Sequence, residues 1–89
     1  MKVRIFGMEY RVERFSQHDP ADSAMGRAIM SRGLIRLSDS MPKDVEEETL
    51  LHEVVHLVAD QAGVALTEPQ VAVISLGLYT AGVRVPVEE

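Results

Sequence analysis

Thr49 to Asp60 reads T-L-L-H-E-V-V-H-L-V-A-D. From Leu50 to Ala59 it is apolar almost all round, which is the pattern of a helix buried on most sides. The flanking residues agree. Upstream, D-S-M-P at 39–42 marks a helix start, with Ser40 as a candidate N-cap and Pro42 tolerated in the first turn. Asp44, Glu46, Glu47 and Glu48 follow, close to the positive end of the helix dipole, where negative charge is favoured. The helix runs to about Gln61, and Gly63 supplies the stop.

The rest of the chain is organised around this helix. Residues 2–15 alternate with period two, so that Val3 and Ile5 share one face and Tyr10 and Val12 share another. Gly7 and Met8 separate the two runs, giving a β-hairpin. S-Q-H-D-P-A-D-S at 16–23 is polar and reads as a loop. M-G-R-A-I-M and L-I-R-L-S, broken by S-R-G at 31–33, predict a second hairpin. Met25, Met30 and Met41 are assigned to packing. Beyond the long helix, T-E-P-Q at 67–70 starts another, with Thr67 as cap and Gln70 able to close a capping box. It continues to about Ala81, and Gly82 ends it. Strands first and helices second predict an α+β domain: a small antiparallel sheet of two hairpins, with both helices packed on one face. One domain is expected over 1–89, with V-R-V-P-V-E-E at 83–89 as a flexible tail.

Composition narrows the function classes. The chain has 89 residues, 46% of them hydrophobic, enough for one modest core. A net charge of −5 argues against direct nucleic-acid contact. With no cysteine, disulfides, iron–sulfur clusters and Cys-ligated zinc are excluded. The N-terminus lacks a signal-peptide core and no run approaches the length of a membrane span, so a soluble, cytoplasmic protein is expected.

The chemistry lies in H-E-V-V-H. His52 and His56 are one helical turn apart and project from the same face. Two imidazole nitrogens at that spacing can share one Zn²⁺ at about 2.0–2.1 Å. Glu53 is rotated off that axis, so it is not a ligand but can reach a water on the metal. Zinc lowers the pKa of such a water to about 7. A neighbouring carboxylate can take its proton and pass it to a leaving amine. Random placement of three histidines and nine glutamates yields H-E-x-x-H in roughly one such chain in a hundred. Buried imidazoles and a carboxylate are costly without partners, and a metal is the simplest one.

L-L-H-E-V-V-H-L, preceded by hairpins and followed by a short helix ending in Gly77-Leu78-Tyr79, resembles the compact ImmA/IrrE-type zinc metallopeptidases, in particular small members from phages and mobile elements. The resemblance spans about residues 2–82. It implies a minimal zincin-like fold, His52 and His56 as zinc ligands and Glu53 as general base. In that family the third ligand is a glutamate on the second helix, and its position here is Ala72, which cannot bind a metal. Glu68, one turn earlier on the same face, would restore a gluzincin-type His, His, Glu set; its other reading is a first-turn acid that stabilises the helix dipole. Asp60 continues the His stripe and reads as a partner to the ligands or a surface acid. His18 sits in the loop. Tyr79 shares the Glu68, Ala72, Ser75 face and is a candidate oxyanion donor or a core residue. The implied activity is peptide-bond hydrolysis of a peptide or protein substrate, repressors being a substrate class by analogy. The run at 34–38 is the expected edge for binding an extended peptide. With no second lobe to build deep pockets, specificity is expected to come from a protein partner or from self-association as a homo-oligomer. The alternative is a non-catalytic phage or mobile-element accessory that acts by protein–protein contact. A regulator that touches DNA only through a partner is a further reading.

Overall fold

The computed structural model describes residues 1–16 and 25–89. Most of the loop expected at 16–23, His18 included, lies outside the described residues.

The chain begins with β1 (Lys2–Ile5) and β2 (Met8–Phe15), an antiparallel hairpin with Val3 opposite Tyr10 and Ile5 opposite Met8. Phe6 and Gly7 make the turn at φ 51° and 79°, the left-handed pair that suits the twist of a tight hairpin. Met8 therefore belongs to β2, not to the turn. This register puts Val3, Ile5, Tyr10 and Val12 in one buried cluster rather than on two faces, because directly paired residues point the same way. The second hairpin is β3 (Gly26–Ile29) and β4 (Leu34–Ser38), antiparallel, joined by a 3-10 turn at Met30–Arg32 and a left-handed Gly33.

The two hairpins fuse through a parallel pair, β2 with β4, in register from Arg11–Leu34 to Phe15–Ser38. The strand order is β1-β2-β4-β3, so the sheet is mixed rather than antiparallel throughout. The sequence showed two hairpins but not how they meet. β4 is also an inner strand, paired on both sides, and cannot be the free edge expected at 34–38. The outer strands are β1 and β3, and β3 is the one beside β4.

Helix α1 (Lys43–Ala62) lies across the sheet. Leu50, Val54 and Leu57 repeat at helical spacing and pack against Val3, Ile5, Tyr10, Val12, Ile35 and Leu37. Met41 joins this core, whereas Met25 and Met30 are exposed, so only one of the three methionines packs as expected. Gln61 closes the far end by donating to the Tyr10 hydroxyl. Pro42, not Ser40, occupies the N-cap position, and no side chain caps it. The Ser40 hydroxyl is instead 3.0 Å from that of buried Ser38, a local turn that competes with capping. Gly63 ends the helix at φ 69° as expected.

Helix α2 (Glu68–Thr80) starts in the full Thr67–Gln70 capping box and packs chiefly on α1. Val71 and Ser75 are buried, while Val73, Leu76 and Ile74 face outward. Residues 83–89 return to the sheet. Val85 packs on the core, and Glu88 exchanges backbone hydrogen bonds of 2.8 and 2.9 Å with Lys2.

Candidate metal centre

The site follows from the angular layout of α1. At about 100° per residue, the Leu50, Val54 and Leu57 stripe faces the sheet, and His52 and His56 turn toward α2. Glu53 falls between these directions and points at β3.

From α2 the Glu68 carboxylate reaches both rings. Its Oε1 lies 2.7 Å from His52 Nε2 and its Oε2 lies 2.9 Å from His56 Nε2. The two rings meet edge to face with centroids 5.0 Å apart. One donor atom from each of the three residues falls within 4.8 Å of the others. Among the described residues this is the group whose donors converge in this way. Ala72, where the resemblance would put a third ligand, is exposed and outside it. Glu68 reaches the rings because the capping box fixes the first turn of α2 above His56. Asp60 is exposed and apart from the group.

The donors suit a borderline cation: two imidazole nitrogens and one carboxylate oxygen are a common zinc set. Donors around a tetrahedral zinc stand roughly 3.3 Å apart. The two His–Glu68 contacts are a few tenths of an ångström shorter, the spacing of direct hydrogen bonds. Hydrogen bonding from His52 is the main influence that holds the Glu68 carboxyl below the usual carboxylate range, with further lowering from His56.

Glu53 is buried, 8% exposed. Burial pushes its carboxyl above the usual range, against the opposing pull of His52 and His56, while Glu68 adds repulsion. The Ala28 backbone N–H donates to it. In β3, Arg27 and Ile29 alternate with Gly26 and Ala28. The Ser38 N–H bond to the Met25 carbonyl fixes which set faces β4, so Ala28 turns its N–H outward, toward Glu53.

A cleft of about 250 Å³ opens at the group, lined by His52, Glu53 and Glu68 together with Met25, Gly26, Glu48 and Thr49. Gly26 sets its width. A Cβ there would stand 2.8 Å from Thr49 Cγ2, so only glycine lets β3 approach α1 this closely. The glycine inside a strand pattern was the signal in the sequence. Ser75, buried on α2, lies 3.4 Å from His52 Nδ1 and was legible only as a member of the Glu68 stripe. The contacts described for Tyr79 are with Arg84, whose guanidinium stands 3.8 Å over the ring and reaches Glu47 at 2.9 Å.

No helix of the described residues is long and apolar enough to cross a membrane. No protein-family model matches the chain, and neither does any curated protein or solved structure.

Proposed function

We propose that the chain is a small zinc-dependent metallopeptidase. The observation that carries this reading is the meeting of Glu68, from a separate helix, with the Nε2 atoms of His52 and His56. In this reading those three side chains hold the ion. Zinc, when bound, supplies Lewis acidity toward a carbonyl and makes water acidic enough to act near neutral pH.

The remaining work belongs to the chain. Glu53 lies next to His52 in sequence but faces the cleft, so its carboxylate is free to accept a proton from water. The protonated carboxyl then delivers that proton to the leaving amine. Burial supports both halves of the cycle, since it raises proton affinity toward the working pH. The outer edge of β3 supports substrate alignment. Gly26 lines the cleft on that edge, and an extended peptide can add there as a strand. Tyr79, the candidate oxyanion donor, lies one turn along α2 from Ser75, under the Arg84 guanidinium, and does not line the cleft.

The test is metal content together with hydrolysis. The reading expects one zinc per chain, lost in His52→Ala, and cleavage of an unstructured peptide that stops in Glu53→Gln while zinc stays bound. Hydrolysis that survives Glu53→Gln removes the assigned base.

A second reading has support of its own. Glu68 already satisfies both imidazoles, so the triad also works as a clamp between α1 and α2 without any ion. The outward face of α2 carries Val73, Leu76 and Ile74 and no charge, which suits a protein partner. A chain that takes up no zinc yet keeps its fold supports this non-catalytic binding protein.

A further inference from the structure

We propose that Ser75 is a positioning residue that sets which nitrogen of His52 faces the metal, an inference that rests on the zinc reading above. Ser75 is fully buried in the contact between α2 and α1. It is the buried polar side chain of a helix whose other buried residue is Val71. Packing alone would be served by alanine. Its hydroxyl lies 3.2 Å from the Ala72 carbonyl and 3.4 Å from His52 Nδ1. The opposite ring nitrogen, Nε2, is the one directed at Glu68.

These distances form a short relay. When Nε2 offers its lone pair to a cation, a neutral ring must carry its proton on Nδ1. Nδ1–H then donates to Ser75 Oγ, and the Ser75 hydroxyl donates to the Ala72 carbonyl. When Nε2–H instead donates to Glu68, the hydroxyl rotates and donates to the bare Nδ1. A hydroxyl serves both arrangements because it donates and accepts from one atom. The proton only changes nitrogen within the ring, so the balance is kept. Ring nitrogens that bind metal are held by such a partner on the far side, and loss of that partner weakens the site. The 3.4 Å contact is long for a hydrogen bond, so the relay is read from the placement of the two atoms.

The test uses the full chain with isotope-labelled histidine. Long-range proton–nitrogen spectra of the zinc-loaded wild type should show His52 protonated at Nδ1, with slow exchange. Ser75→Ala should make that proton exchange fast and weaken zinc binding roughly 10–100-fold in competition with a chromophoric chelator. Val71→Ala thins the same buried face without touching the ring and should leave the Nδ1 proton protected. Ser75→Thr, which keeps the hydroxyl, should restore most of the affinity. If Ser75→Ala does not fold, the wild-type spectrum decides: an unprotected Nδ1 proton overturns the proposal. Unchanged zinc affinity and unchanged exchange in Ser75→Ala also overturn it and leave the metal site standing. A wild type that takes up no zinc sinks the peptidase reading and this inference with it.

Discussion

Under the peptidase reading, Glu53 serves function against stability. Its carboxyl sits above the ordinary range in the folded chain, mainly through burial. The folded state therefore favours the protonated form. Below the unfolded value of about 4.3 the group does not penalise folding; as pH rises through the folded value, the penalty on the ionised form becomes complete. Glu53→Gln removes that penalty and keeps an acceptor for the Ala28 N–H. Its thermal midpoint should exceed wild type by a few degrees at pH 7, with the difference shrinking toward pH 4, as followed by circular dichroism. A lower midpoint at pH 7 contradicts the sign. Phe6 is a second case, away from the site. It holds φ 51° in a hairpin turn with its ring exposed, a conformation that asparagine adopts more readily. Phe6→Asn should stabilise the chain by about 1 kcal/mol in chemical denaturation.

Among the elements, β3 and α1 approach closely at Gly26. Gly26→Ala puts a methyl group 2.8 Å from Thr49 Cγ2, so the Thr49 side chain, the strand or the helix must shift. Overpacking of this kind costs about 1–3 kcal/mol. Under the peptidase reading the same variant loses hydrolysis more than zinc, because it shifts the strand edge and leaves the three donors in place. Zinc uptake and peptide cleavage measured side by side check this. A second link runs from β2 to the start of α1, where Arg14 donates to both Glu46 oxygens at 3.1 and 2.6 Å. Arg14 holds the Glu46 carboxyl below its usual range. Its contribution is present above the unfolded value and lost as pH falls through the folded one. Because the side chains are 47% and 22% exposed, solvent screens much of the pair. Glu46→Gln should cost about 0.5 kcal/mol at pH 7 and nothing near pH 2, read from urea midpoints.

For the whole molecule, the donor triad is also a fastening. His52 and His56 belong to α1 and Glu68 to α2, so an ion held among them ties the second helix to the first. A cation that binds only the folded chain raises its stability by mass action, about 2.7 kcal/mol at a hundredfold excess over Kd. In a domain of this size that is roughly 10–20 °C in thermal midpoint. Zinc titration of the wild type should show the rise, and Glu68→Ala should abolish it. Identical midpoints with and without zinc leave only the interhelical clamp.

Much of this was written in local sequence. The H-E-x-x-H spacing, Gly63 as stop and the Thr67–Gln70 cap are short-range features, and each depends on residues within a turn or two. So do the hairpins, whose alternation and glycines were visible even where the face assignment was not. The α+β class followed from element order. Tertiary structure decided the rest, because it depends on contacts between residues far apart in the chain. The parallel β2–β4 pairing made the sheet mixed and moved the free edge from 34–38 to β3. The α1–α2 packing brought Glu68, and not Asp60, against the two histidines, and put Ser75 behind His52. Periodicity tells which way a side chain points from its own helix or strand; only the packing of one element on another tells what it meets.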